Sequence, residues 1–133
     1  MAVASKFYIV PHTHWDREWY QPFQVFRSRL VDIVDDLLDI LERDPGFTHF
    51  LLDGHTAAAL DYLEIRPEKR PRLQAAISSG RISTGPFHIL MDEFLVSGET
   101  IVRNLARGMD VAEQLGGCSK IAYLPDMFGH ISQ

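Results

Sequence analysis

The chain has 133 residues, 46% of them hydrophobic, which is the length and apolar content of one domain or a piece of one. Its 13 basic and 18 acidic residues leave a net charge of −5. With no basic run to neutralise phosphates, nucleic acid is excluded as the expected partner. The single cysteine, Cys118, rules out an internal disulfide and suits a reducing compartment, and no stretch has the length of a membrane span or signal core, so a cytoplasmic protein without membrane contact is expected.

Taken in chain order, the apolar run Lys6–Val10 reads as a first strand. A long amphipathic helix is predicted from about Tyr20 to Glu42, with Phe26, Leu30, Ile33, Leu37 and Leu41 as its apolar stripe and Asp44-Pro45-Gly46 as its stop. Thr48–Leu52 reads as a second strand, and Thr56 as the cap of a short helix through Leu63. Pro67 or Pro71 opens another helix that ends at Ser79, with Gly80 as its left-handed stop. Arg81–Thr84 is the third strand. A helix capped by Ser97 or Thr100 follows and stops at Gly116-Gly117, and Ile121–Leu124 is the fourth strand. The order β-α-β-α-α-β-α-β implies an α/β fold, a parallel sheet with crossover helices. No helix returns after the fourth strand, so the architecture reads as cut short. Its open edge and uncovered apolar face predict self-association into a homo-oligomer.

In parallel sheets and barrels, ligands bind outside the carboxyl ends of the strands. Five of the six histidines lie just after predicted strands, most with carboxylates beside them. The sharpest case is Pro11-His12-Thr13-His14-Trp15-Asp16. Side chains of an extended segment alternate in direction, which puts His12, His14 and Asp16 on one side. Two imidazoles and a carboxylate form a zinc donor set; alternatively, the histidines only hydrogen-bond backbone. Asp126 follows the fourth strand and reads either as a turn residue or as a metal ligand or nucleophile. Asp53-Gly54-His55 and Asp92-Glu93 occupy equivalent positions after the second and third strands and read equally well as turn or cap residues. Trp15, Trp19, Tyr20, Phe87 and Phe128 crowd the same loops. Aromatic planes suit the C–H faces of sugars, although Tyr20 and Phe87 are better read as packing residues.

These segments carry a resemblance. His12-Thr13-His14-Trp15-Asp16-Arg17-Glu18-Trp19-Tyr20 resembles the first signature of glycoside hydrolase family 38, the retaining α-mannosidases, and Asp126-Met127-Phe128-Gly129-His130 resembles its D-x-F-G-H signature. Leu63–Glu68 and the run from Gly85-Pro86-Phe87 through Asp92–Glu99 resemble the bacterial branch. The resemblance implies the N-terminal part of a seven-stranded α/β barrel. It implies Zn²⁺ held by His14, Asp16 and Asp126, with Asp126 also the catalytic nucleophile. Trp19 would stack under the mannose ring and Phe128 would line the subsite. His12 would support the site without binding metal, and Asp92, Glu93 and His130 are further supporting candidates. The implied substrate is an α-mannoside or a mannose-containing oligosaccharide. The family's fourth zinc ligand and its general acid/base lie downstream of D-x-F-G-H, so residues 1–133 alone are expected to be inactive. Two rival readings of the same residues are a metal-dependent amidohydrolase or deacetylase, and a non-catalytic fragment.

Overall fold

The structure is a computed structural model that describes residues 5–132. Its backbone is the long helix α1, Phe23–Arg43. Pro22 holds extended geometry at the cap position (φ −60°, ψ 153°), so the helix begins three residues after the predicted start. Phe26, Leu30, Val34, Leu37 and Leu41 are buried, along with Val31 and Leu38. Val34 takes the core position predicted for Ile33: the buried face of the helix extends over Val31, Val34 and Leu38, and Ile33 lies at its edge, 37% exposed. Asp44 ends the helix, its carboxylate accepting from the Gly46 N–H at 2.8 Å.

The stripe of α1 packs on α2 (Ala57–Ile65) and α3 (Arg70–Ser78), with a 3₁₀ turn at Pro67–Lys69 between them. Ala58, Ala59 and Tyr62 from α2 and Leu73 and Ile77 from α3 complete the core, joined by Val111 and Leu115 from the end of the chain's last helix. Each fully buried aliphatic or aromatic side chain contributes about 1.5–3 kcal/mol. The one polar tip in this layer, the Tyr62 hydroxyl, donates to Asp35 Oδ1 at 2.7 Å. That helix, α4 (Gly98–Gln114), is capped by Ser97, whose hydroxyl accepts from the Thr100 N–H at 3.2 Å. Gly108 lets it lie against the backbone of Pro86, Phe87 and His88, where a β-carbon would overlap main-chain atoms. One turn earlier, the Asn104 amide clamps the same loop: it accepts from the Ile89 N–H at 2.9 Å and donates to the Ile89 carbonyl at 2.6 Å.

The sheet is parallel and small. β1 (Phe50–Leu51) pairs with β2 (Ile82–Ser83) in the register Phe50–Ile82 and Leu51–Ser83. On the other side of β1, Leu51 donates to the Pro11 carbonyl at 2.9 Å and accepts from the Thr13 N–H at 3.2 Å. A second parallel bridge, His55 to Phe87, carries the pairing past the strand ends.

Two predicted strands need correction. Lys6–Val10 is exposed and unpaired among the described residues, and the pairing falls on Pro11–Thr13 instead. β1 begins only at Phe50, so no ladder lies beside residues 6–10; strand propensity is expressed only against a partner. Ile121–Leu124 is likewise no strand. Beyond β2, the Ser119 N–H reaches the Thr84 carbonyl at 3.2 Å, but the Ser119 hydroxyl then turns to the backbone of Ile121 and draws the chain into a local bend. The second and third predicted strands are present but shortened to two residues each. Among the described residues no helix is long and apolar enough to cross a membrane.

Candidate active site

The pairing of Pro11–Thr13 with Leu51 delivers the following residues to the carboxyl end of β1. His14 stands between three aspartates. Its Nε2 lies 3.5 Å from Asp16 Oδ1 and 3.8 Å from Asp126 Oδ2, and its Nδ1 lies 4.0 Å from Asp53 Oδ2. One ring nitrogen therefore faces two partly exposed carboxylates, and the other faces a sealed one. Asp16 and Asp126 are 41% and 68% exposed, Asp53 is 0%. Among the described residues no three His, Cys, Asp or Glu side chains are drawn together tightly enough to hold an ion as they stand.

Asp53 and Asp126 both adopt positive φ, 64° and 55°. This left-handed region is sparsely used by residues other than glycine, asparagine and aspartate, and such conformations concentrate at functional sites. Asp53 is held by the Trp15 N–H, which donates to Oδ2 at 2.6 Å, and by the Gly54 N–H, which donates to Oδ1 at 2.6 Å. His55, also buried, places Nε2 3.2 Å from Asp53 Oδ2. The Thr84 hydroxyl donates to the His55 carbonyl at 3.1 Å.

The segment that carries Asp126 crosses directly over Gly54. A β-carbon there would overlap the Tyr123 carbonyl oxygen. The Tyr123 hydroxyl and His12 Nδ1 share a hydrogen bond of 2.8 Å, and their rings meet edge to face at 5.2 Å. Burial and the field of Asp53 push the Tyr123 hydroxyl above its usual pKa, keeping it a neutral partner for that imidazole. His12 thus ties the first loop to the last, and His14 carries the contacts to the carboxylates.

The remaining candidates divide clearly. Trp15 turns inward, packing edge to face on Phe26 at 5.9 Å, whereas Trp19 and Phe128 are largely exposed. Phe87 is buried, and Tyr20, largely exposed, leans its ring on Phe26 while Arg29 lies over it and donates to its hydroxyl. Asp92 caps a turn by accepting from the Phe94 N–H at 3.0 Å. Glu93 accepts from the Ile131 N–H at 3.0 Å and lies 3.3 Å from His130 Nδ1, so these two supporting candidates partner each other. That backbone donor, then His130, hold the Glu93 carboxyl below its ordinary range. Arg17 makes a two-pronged ion pair with the buried Asp61, at 2.6 and 2.8 Å, which fixes the loop to α2. His88 lies beside that pair; burial, and then the charge of Arg107, lower its pKa.

Sequence reasoning leaves Asp53 open between a site residue and a turn or cap residue, and does not single out Tyr123. Asp53 was visible only as one of several carboxylates after strands, and nothing in the sequence announces its positive φ or its burial.

Comparison with known proteins gives the chain's family. The description "Glycosyl hydrolases family 38 N-terminal domain" matches residues 4–133. A protein of Halalkalibacterium halodurans named "Putative mannosylglycerate hydrolase" is 46% identical over 127 residues, covering 95% of this chain and 14% of that protein. The crystal structure of an α-mannosidase from Enterococcus faecalis V583 superposes with a TM-score of 0.88 at 45% identity, covering 91% of this chain and 14% of the other. A second Enterococcus faecalis structure, of a protein in glycosyl hydrolase family 38, gives a TM-score of 0.82 at 42% identity over 90% of this chain and 14% of that one. The chain therefore spans about one seventh of the length of these relatives.

Proposed function

The chain belongs to glycosyl hydrolase family 38, and from that premise we propose that its protein is a zinc-dependent α-mannosidase that acts with retention of configuration, Asp126 being the nucleophile. The reading is carried by one observation: a single imidazole nitrogen of His14 faces Asp16 and Asp126, which arrive from opposite ends of the chain. In a tetrahedral site with bonds of about 2.1 Å, donor atoms stand roughly 3.4 Å apart. The separations of 3.5 and 3.8 Å stand just outside that spacing, so a small inward shift of the two carboxylates would bring them to an ion, and imidazole with carboxylate oxygen is a donor set zinc accepts. His14, Asp16 and Asp126 would hold the ion. When bound it would supply a template and Lewis acid for vicinal sugar hydroxyls.

The protein's own groups do the rest. Asp126 attacks the anomeric carbon as the bond to the leaving oxygen breaks, which gives a glycosyl ester on the carboxylate. A second carboxyl group, which the family resemblance puts beyond Gln133, gives its proton to the leaving oxygen. It then takes a proton from the water that breaks the ester, so the sugar leaves with its original configuration. The left-handed backbone at Asp126 and its 68% exposure keep the nucleophile presented to solvent and substrate. Trp19 and Phe128, exposed on the same loops, would offer planes to the sugar ring. We take the chain as the N-terminal part of a seven-stranded catalytic barrel, inactive without the rest. Membership of this family sets the amidohydrolase reading aside. The name of the Halalkalibacterium relative makes mannosyl glycerate a substrate to test beside simple α-mannosides.

The test is hydrolysis of an aryl α-mannoside by the protein as its gene encodes it, followed by proton NMR. α-Mannose should be the first sugar released, and chelation of zinc should stop turnover. Initial release of β-mannose, or undiminished turnover in chelator, would contradict the reading.

A further inference from the structure

We propose that Asp53 is a positioning residue for His14: it faces the Nδ1 side of that imidazole and fixes the loop that carries it, so that Nε2 is presented to Asp16 and Asp126. The inference rests on the zinc reading above and adds a residue that the ligand set does not contain.

Three observations carry it. First, the two nitrogens of His14 face different carboxylates. Nδ1 lies 4.0 Å from Asp53 Oδ2, beyond a direct hydrogen bond yet with that carboxylate in front of it. A carboxylate in front of Nδ1 favours the tautomer that carries the proton there, leaving the Nε2 lone pair free for a metal. Second, the same Oδ2 accepts from the Trp15 N–H at 2.6 Å. Trp15 lies between the two candidate ligands in sequence, so Asp53 sets the backbone of both. Third, Asp53 is built to hold still. It is fully buried, its backbone is left-handed, and its other oxygen is occupied by the Gly54 N–H. His55, with Nε2 at 3.2 Å, backs it from the core side, while His55 Nδ1 has no partner among the described residues. The His55 imidazole thus has its one close polar contact at the carboxylate.

The experiment measures zinc affinity by competition with a chromogenic chelator, on the protein as its gene encodes it. Asp53→Asn suits the purpose because asparagine also tolerates positive φ and keeps one acceptor oxygen. Loss of such a supporting partner typically costs about 10–100-fold in metal affinity, and that loss is expected here. Thr84→Val removes the hydroxyl that donates to the His55 carbonyl, leaves Asp53 and its contacts in place, and should change zinc affinity less than about threefold while lowering thermal stability. Equal weakening in both variants would mean that general loosening of the corner is responsible, and would overturn the proposal. So would wild-type affinity in Asp53→Asn. Should Asp53→Asn not fold, the crystal structure of the zinc-loaded wild-type protein decides: Asp53 should accept from His14 Nδ1, and a His14 ring turned to another acceptor would overturn the assignment. A wild-type protein that takes up no zinc would defeat the metal reading itself, a failure distinct from any difference between variants.

Discussion

Asp53 and Asp126 share a rare backbone conformation and a common neighbour in His14, but their surroundings are opposite. Asp53 is sealed, with both oxygens engaged by backbone N–H groups. Asp126 is 68% exposed and meets His14 at 3.8 Å. A left-handed aspartate in the core, its oxygens accepting from two backbone N–H groups, is suited to holding other groups in place. The same conformation on an open loop can lift a carboxylate towards a substrate. On the proposed reading, a holding carboxylate and a candidate nucleophile are told apart by burial and occupied lone pairs, not by their position after a strand.

The widest separation of the two should appear in catalysis. Asp126→Asn is expected to reduce turnover of an aryl α-mannoside by about 10⁴-fold or more, as loss of a nucleophile does, with the unfolding midpoint nearly unchanged. Near-normal turnover would remove Asp126 from the nucleophile's role. Stability should reverse the order. Asp53→Ala strands the Trp15 and Gly54 N–H groups and puts a β-carbon residue without polar compensation at φ 64°, at a cost of about 2–4 kcal/mol. Asp126→Ala shares the backbone strain at φ 55° but strands no backbone donor among the described residues, so it should cost only about 1 kcal/mol. Urea unfolding of the two variants measures this, and equal losses would erase the contrast.

Gly54→Ala probes the contact between the two regions. Its β-carbon must push the Tyr123 carbonyl away, which should cost about 1–3 kcal/mol and reduce mannoside turnover by moving Asp126. Unfolding and kinetics measured together would test it; a variant as stable and active as the wild type would show that the last loop does not rest on Gly54. The smallest effect concerns pH. Glu93 is held below the ordinary carboxylate pKa of 4.5 by the Ile131 N–H and His130. A depressed carboxyl pKa gives a contact that is complete above that ordinary value and is lost as pH falls through the lowered one. The Glu93 side-chain carboxyl resonance should therefore show its protonation step only below about pH 4.5. A protonation step above that value would count against the Glu93–Ile131 contact.

Much of this was legible in the sequence because it depends on local periodicity and on motif spacing. The stripe of α1, the Ser97 cap and the left-handed stop at Gly80 all follow from residue type and position. His14, Asp16 and Asp126 could be singled out because histidines and carboxylates recur after apolar runs. The illegible parts depend on partners distant in sequence. Whether Lys6–Val10 forms a strand is decided by where β1 begins, and Ile121–Leu124 is diverted by the Ser119 hydroxyl. Asp53 could not be distinguished from Asp92, because burial and the Trp15 donor come from tertiary packing. Ile33 gave way to Val34 for the same reason: the fold packs on a face of α1 that includes Val31, Val34 and Leu38 and leaves Ile33 at its edge.

The nucleophile assignment meets its most direct test in trapping the glycosyl ester. The protein as its gene encodes it would be incubated with a fluorinated mannosyl fluoride, which forms the ester faster than water can break it, then digested and mapped by tandem mass spectrometry. The added sugar mass is expected on Asp126, in the peptide that contains Phe128-Gly129-His130. A label on Asp16, Asp53, Glu93 or any other carboxylate, with Asp126 unmodified, would contradict it.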